Sequence, residues 1–394
     1  MNEYTLVKII KILSWIVLLL AFICGGLIYK QGRLSQKYEL ALETISDYES
    51  RIAECKNASP SAENKVADLE SVADSGNAGN LENEDMDNED ATDDVSLDEE
   101  GDKIHALSVK NGRIVDENGN VFQLRGMSSH GLYWFPEYTG YEAVATTKEY
   151  GANAFRIAMY ANEPNGGYIQ DRERSLSLLH SAVESVKAAG MYAVIDWHIL
   201  NEHNPLYDVE AAKEFFRNTA SMYGNDPQII YEICNEPNNE ATWDNVKDYA
   251  NQVIPIIRQY APDCLIIVGT PNYSYSVKSA INNQLDYDNL LYSFHFYAGQ
   301  FPNEYPDILT ECKNAGVPVI ISEWGINTDC DANARVYGQD FLNYINSNNI
   351  SWFAWSLCNK NECFSAIKSD CQKLSGWEMD DLTEVGRIFF KGFE

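Results

Sequence analysis

The sequence predicts a closed barrel of eight parallel strands and alternating helices over residues 104–394, behind an N-terminal anchor, stalk and linker. Two observations carry the barrel. From about His105 onward, eight short apolar runs alternate with amphipathic stretches across about 290 residues, the rhythm of a parallel sheet closed on itself. Two of the runs, in IIYEICNEPN and VPVIISEWG, lead into Glu236 and Glu323. Packing alone does not select carboxyl groups at the C-terminal ends of buried strands. In a parallel barrel those ends form one face, where active sites lie.

Residues 1–30 read as a transmembrane anchor. From Ile12 to Tyr29 the chain is almost continuously apolar, flanked by Lys8 and Lys11 and by Lys30 and Arg33, about the length that crosses a bilayer. A cleaved signal peptide is the rival, but no small-x-small cleavage pattern follows the run, and Ile23 before Cys24 suits a lipoprotein site poorly. Residues 31–56 read as a helical stalk, because Leu34, Tyr38, Ala41, Ile45, Tyr48 and Ile52 alternate at spacings of four and three, with Cys55 next on the seam. That seam suits either a self-associating coiled coil over residues 34–55, a homo-oligomer that Cys55 could lock, or a lone amphipathic helix at the membrane surface. Residues 57–103 hold no aromatic residue, and from Val66 to Asp102 carry fifteen Asp or Glu and no Lys or Arg. Such a composition predicts a disordered, self-repelling acidic linker.

The barrel domain opens with SVKNGRIVDENGNVFQL, in which Glu117-Asn118-Gly119 marks the turn of a β-hairpin expected to close the N-terminal mouth. Eight strands follow: Gln123–Met127, Ala154–Met159, Tyr192–Asp196, Ile229–Cys234, Leu265–Gly269, Leu291–Phe296, Val317–Ser322 and Ser351–Ser356. Between them, SLSLLHSAVESVKAAG and VEAAKEFFRNTASMYG carry the helical period and end at Gly190 and Gly224, where a C-terminal cap prefers glycine. The expected class is therefore α/β, a (β/α)8 TIM barrel. An open doubly wound sheet is the alternative, but no GxGxxG follows the first strand, so a dinucleotide would lack its phosphate cradle.

Composition narrows the function classes. A net charge of −30 repels nucleic-acid phosphates and tolerates a neutral polysaccharide. Nine cysteines are few for a disulfide scaffold of this length, and they lack zinc-ligand spacing, so no metal is expected. Cys358, Cys363 and Cys371 read either as free thiols or with a loop disulfide among them, and Cys234 reads as a small buried hydrophobe.

Collected from the strand ends, His130, Arg156, His198, Asn235 with Glu236, His295 with Tyr297, Glu323 and Trp355 meet at one mouth. The segments LRGMSSHG, NAFRIAMY, VIDWHI, IIYEICNEPN, LLYSFHFYAG, VIISEWG and SWFAWSLCNKNE, in that order between Leu107 and Phe390, resemble glycoside hydrolase family 5, specifically its bacterial endo-β-1,4-glucanases. The resemblance implies Glu236 as general acid/base and Glu323 as nucleophile of a retaining double displacement, with carboxyl groups roughly 5 to 5.5 Å apart. Arg156 is then expected to pair with Glu323 and keep it ionised, and Asn235 to donate to the sugar 2-OH. Tyr297 would stand beside the nucleophile and His295 near the acid/base, with His130 and His198 on hydroxyls of the sugar being cleaved. Trp355 is expected beneath the reacting sugar, Trp134 further along the cleft, and Lys360 with Glu362 as a pair gripping more distant sugars. Trp197 and Trp352 read as packing residues. Thr270-Pro271-Asn272-Tyr273 departs from the Thr-Pro-Thr-Trp of many relatives, and Phe301 stands where histidine is common, so the leaving-side subsites are where this chain differs.

The expected function is hydrolysis of internal β-1,4 bonds in cellulose or a related β-glucan, by an extracellular domain held at the cell surface. A β-mannanase and a non-catalytic cell-surface carbohydrate-binding protein are the alternatives. Paired carboxylates suffice for the reaction, so no cofactor is expected.

Overall fold

The computed structural model describes residues 104–300, 303–326 and 332–394. The expected anchor, stalk and acidic linker lie outside the described residues, as do Cys55 and Phe301. Among the described residues, no helix is long and apolar enough to cross a membrane.

Strands β1 (Ser108–Lys110) and β2 (Arg113–Val115) form an antiparallel hairpin. Its tight turn is Asn111-Gly112, with φ of 51° and 73°, and not the expected Glu117–Gly119. A two-residue hairpin requires two left-handed residues, which Asn-Gly adopts at least cost. Glu117–Gly119 instead makes a second, wider reversal. There the Asp116 carboxylate accepts from the backbone N–H groups of Asn118 at 2.9 Å and Asn120 at 2.8 Å, and the chain returns through one bridge between Val115 and Val121.

The barrel consists of β3 (Arg125–Ser129), β4 (Ala154–Tyr160), β5 (Tyr192–His198), β6 (Ile229–Glu232), β7 (Ile266–Val268), β8 (Leu290–Ser293), β10 (Val319–Gly325) and β11 (Trp352–Leu357). Each is parallel to its neighbours, and β11 pairs with both β10 and β3, which closes the ring. A two-residue strand β9 (Phe296–Tyr297) resumes after β8 and pairs with the end of β10. The helices are α1 (Tyr141–Glu149), α2 (Arg172–Ala188), α3 (Val209–Tyr223), α4 (Trp243–Arg258), α5 (Tyr305–Asn314), α6 (Ala332–Ser347) and α7 (Glu384–Lys391). The Asp171 carboxylate starts α2 by accepting from Arg174 N at 3.1 Å, and left-handed Gly190 and Gly224 follow the ends of α2 and α3.

The main core lies between barrel and helices, where Phe155, Ile157 and Met159 of β4 meet Leu179 and Val183 of α2 and Phe215 of α3. Trp197 and Trp352 are fully buried there, as is Cys234. Cys358 and Cys371 are free thiols. Cys363 is disulfide-bonded, but to neither of these, so no bond joins the three cysteines to one another.

A second cluster fills the barrel floor with Ala154, Val194, Ile230, Ile267, Leu291, Ile320 and Phe353, sealed from below by Leu107 and Ile114 of the hairpin region. Strand side chains alternate, so the next inward positions above that floor are Arg156, Asp196, Glu232, Ser293 and Ser322. These form a buried polar layer directly beneath the C-terminal face.

Candidate active site

Arg156 organises this layer. It is fully buried in β4, and its Nε donates to Glu232 Oε2 at 2.7 Å while Nη1 donates to Glu323 Oε2 at 3.1 Å. Nη2 donates to Asn235 Oδ1 at 2.7 Å and lies 3.0 Å from Asp196 Oδ2. Burial opposes the cation, but Asp196, Glu232 and Glu323 outweigh it and push the Arg156 pKa further up. For Glu232, burial works upward and is overcome by Arg156 and His295, which hold its carboxyl down to about 2. Asp196 goes the other way. Burial raises it well above the carboxylate range despite Arg156, with Glu232 and Glu323 adding to the effect. Its Oδ1 has no hydrogen-bond partner, so a proton there leaves both Oδ2 contacts intact.

Glu236 follows β6, and Glu323 lies inside β10. Between Ile321 and Trp324, β10 carries one residue more than the facing stretch of β11. This bulge turns both Ser322 and Glu323 inward, where strict alternation admits only one of them. One oxygen of each glutamate and one ring nitrogen of His295 lie within 4.8 Å of one another. His295 Nδ1 is 2.9 Å from Glu236 Oε1, and the Tyr297 hydroxyl donates to Glu323 Oε1 at 2.7 Å.

The two carboxyls sit in unlike surroundings. Burial raises the Glu236 pKa, His295 opposes the rise, and the nearby Glu323 charge reinforces it. Burial also works against the His295 cation, but bonds to Glu232 and Glu236 prevail and lift its pKa to about 9. A carboxyl with a raised pKa opposite an arginine-paired one is what breaking a glycosidic bond requires. The Glu236, His295 and Glu323 donors are close enough for a metal ion, yet each is engaged by a hydrogen bond and Arg156 sets a fixed positive charge beside them. That donor set favours proton transfer over cation binding.

Around this pair, His198 Nδ1 is 2.7 Å from Asp196 Oδ2, and Asn235 Nδ2 donates to Ile199 O at 3.1 Å while lying 3.4 Å from His198 Nε2. Burial and then Arg156 drive the His198 pKa down to about 3, so the ring is neutral. His130 is neutral too, its pKa lowered to about 3 by burial and by Lys360. Its Nδ1 accepts from Gly131 N at 2.8 Å, which leaves the proton on Nε2, 3.7 Å from Glu362 Oε1. The Trp355 ring stacks on His198 at 5.3 Å and 15° and also meets His130 at 5.3 Å. Trp134, 38% exposed, stands edge-on to Tyr160 at 5.0 Å. Lys360 and Glu362 pair at 2.5 Å and close on His130, whose Nε2 is 3.4 Å from Lys360 Nζ. The expected outlying pair therefore sits against the ring assigned to the cleaved sugar.

On the other side of Glu236, a cavity of about 390 Å³ is lined by Asn272, Tyr273, Tyr275, Tyr297 and Gln300. Asn272, Tyr273 and Ser274 are successive left-handed residues with φ of 59°, 58° and 55°. Ser274 Oγ donates to Asn235 O at 2.6 Å, and Ser274 O accepts from His295 N at 2.9 Å, so this turn braces both neighbours of the acidic centre. A smaller hollow of about 160 Å³ at the opposite end of the barrel is lined by Arg113 and Lys313 among others, and by no carboxylate.

Glu232, Asp196, Ser322, Ser274 and Tyr160 were not among the residues read from the sequence. A signal existed for the first two, since a charged residue two or four positions before a mouth residue in an apolar strand points inward by alternation.

The cellulase (glycosyl hydrolase family 5) family model matches residues 115–361. An endoglucanase of Clostridium saccharobutylicum is 40% identical over 290 residues, covering 72% of this chain and 64% of that protein. Endoglucanase N of Pectobacterium atrosepticum is 38% identical over 287 residues, with the same 72% and 64% coverage. This chain thus spans just under two thirds of the length of these relatives. Among solved structures, the catalytic domain of Thermobifida fusca endoglucanase Cel5A aligns at a TM-score of 0.69 and 30% identity, over 74% of this chain and 97% of that one. With that agreement in sequence and fold, the chain belongs to the cellulase family, glycosyl hydrolase family 5.

Proposed function

We propose that the domain is a retaining endo-β-1,4-glucanase that hydrolyses internal bonds of cellulose or a related β-glucan. The observation that carries this is the Glu236 and Glu323 pair, with oxygens within 4.8 Å. That is on the short side of the roughly 6.5 to 9.5 Å left for water between the carboxyls of inverting enzymes. In the first step a Glu323 oxygen bonds to the anomeric carbon as the glycosidic C–O bond breaks, and Glu236 gives its proton to the leaving oxygen. In the second, Glu236 takes a proton from water, the water oxygen bonds to the anomeric carbon, and the ester to Glu323 breaks. Arg156 and Tyr297 hold the nucleophile, Asn235 and His198 meet the reacting sugar, and Trp355 and Trp134 supply apolar faces. His130, Lys360 and Glu362 hold hydroxyls on the non-reducing side. The match to the cellulase family and relatives bearing the name endoglucanase support a β-glucan such as cellulose as the substrate class.

Polymer assays with product NMR test this reading. Release of β-anomers from cello-oligosaccharides, and loss of turnover by several orders of magnitude in Glu323→Gln, are the expected results. Release of α-anomers, activity confined to mannan, or a fully active Glu323→Gln would overturn it.

The domain is placed outside the cell and held by residues 1–30, with the stalk at residues 31–56 and the acidic linker at residues 57–103 as its tether. The apolar run from Ile12 to Tyr29 supports the anchor, and the disulfide at Cys363 suits an oxidising compartment. Cell fractionation of the full chain should find it in the membrane fraction and cleavable by added protease. Recovery of the shortened protein in the medium alone would favour signal cleavage instead. Crosslinking through Cys55 on a non-reducing gel reports whether residues 34–55 self-associate.

A further inference from the structure

An unbroken line of hydrogen bonds runs beneath Glu236. Arg156 Nε donates to Glu232 Oε2 at 2.7 Å, Ser322 Oγ donates to Glu232 Oε1 at 2.8 Å, His295 Nε2 lies 3.0 Å from Ser322 Oγ, and His295 Nδ1 lies 2.9 Å from Glu236 Oε1. A hydroxyl has one proton to give, and that of Ser322 goes to Glu232. Ser322 Oγ therefore accepts from its other neighbours, Ser293 Oγ and His295 Nε2. His295 thus carries a proton on Nε2, and any second proton lies between Nδ1 and Glu236 Oε1, shared by the two.

We propose that Glu232 is a positioning residue which, through Ser322, fixes the tautomer of His295 and so keeps the shared proton at Glu236. This rests on the reading of Glu236 as acid/base. Glu232 touches no substrate. It sits on the floor side of the histidine, and its charge favours the proton-sharing His295–Glu236 pair over the deprotonated one. Glu232 and Glu236 reach this cluster from β6, Ser322 and Glu323 from β10, Arg156 from β4, and Asp196 and His198 from β5. Among these carboxylates only Glu232 is bonded to the hydroxyl that orients the ring. The His295 pKa of about 9 and the Glu232 pKa of about 2 agree with this division of charge.

With Gln at position 232 the amide donates to Ser322, whose proton turns to His295 Nε2. The ring then bears its proton on Nδ1, facing Glu236, and the pair loses its shared proton more easily. The test is the pH dependence of kcat/KM on aryl cellobiosides, together with imidazole 15N shifts of His295. Glu232→Gln should move the alkaline limb down by about one pH unit or more on a poor leaving group. KM should change little, and the effect should shrink with a leaving group that needs no proton. Ser322→Ala should act in the same direction and Ser322→Thr should restore the wild-type limb, which covers the case of a Glu232 variant that does not fold. Nitrogen shifts reporting an Nδ1–H tautomer in wild type, or an even fall in kcat/KM at every pH with the limb unmoved, would overturn the proposal. If Glu236→Gln itself stays active on the poor leaving group, the acid/base reading fails; if it is inactive and only the limb stays put, Glu232 alone is misassigned.

Discussion

At the scale of single residues, Arg156 is the side chain on which the site is assembled. Its guanidinium serves Glu232, Glu323 and Asn235 at once and lies against Asp196, all without access to water. An ammonium cannot reproduce that planar fork, so Arg156→Lys should lose much of the activity even where the charge is kept. Arg156→Met leaves buried carboxylates with no cation, and removing one partner of a buried pair costs about 3–5 kcal/mol. Denaturant unfolding should register a loss of that order, and a change within error would mean that water or proton uptake compensates. The pairing of Arg156 with Glu323 was legible through the family resemblance, while burial of a cation in an apolar strand says only that some counter-ion is needed. Glu232 and Asp196 were legible only through strand alternation, which points them inward without saying what they pair with, and Ser322 has no chemical signature of its own.

At the scale of elements, hydrophobic rhythm located all eight barrel strands, with ends shifted by at most three residues. What it missed was local geometry. The bulge in β10 breaks strict alternation, so counting by twos assigns only one of Ser322 and Glu323 to the interior while both point there. The sixth strand appeared as one run from Leu291 to Phe296, yet it divides into β8 and β9 because His295 N turns to Ser274 O instead of the neighbouring strand. The left-handed run Asn272–Ser274 was equally hidden. Tyr273 and Ser274 pay about 1–2 kcal/mol each in that region, so beyond Asn272 nothing local favours it. It persists because Tyr273 N bonds to Pro237 O and Ser274 bonds to Asn235 O, and such over-determined backbone gathers at functional sites. In the hairpin, Asn111-Gly112 and Glu117–Gly119 compete as turn signals, and the two-residue loop wins the closer pairing.

At the scale of the whole molecule, the charge distribution makes the folded domain more sensitive to alkali than its acidic composition suggests. Half of the −30 is matched by fifteen carboxylates between Val66 and Asp102, outside the barrel, and these stay ionised throughout neutral and alkaline pH. The groups that titrate inside the barrel govern its response. His295 is raised to about 9 in the fold and titrates near 6.5 when unfolded. Its contribution to stability is therefore complete below about pH 6.5 and is lost as pH rises through about 9. Asp196 and Glu236, also raised, change in the same sense, because the native state gives up their protons at higher pH than the unfolded chain does. His130 and His198, lowered to about 3, act only on the acid side and leave this window untouched. Unfolding free energy measured in denaturant should thus fall by a few kcal/mol between pH 6.5 and 9.5, about 1.4 kcal/mol per unit for His295 alone. His295→Asn should flatten the slope while lowering stability at pH 6.5. A free energy independent of pH across this range would mean that His295 is neutral in the fold, and that the buried cluster balances its charge without it.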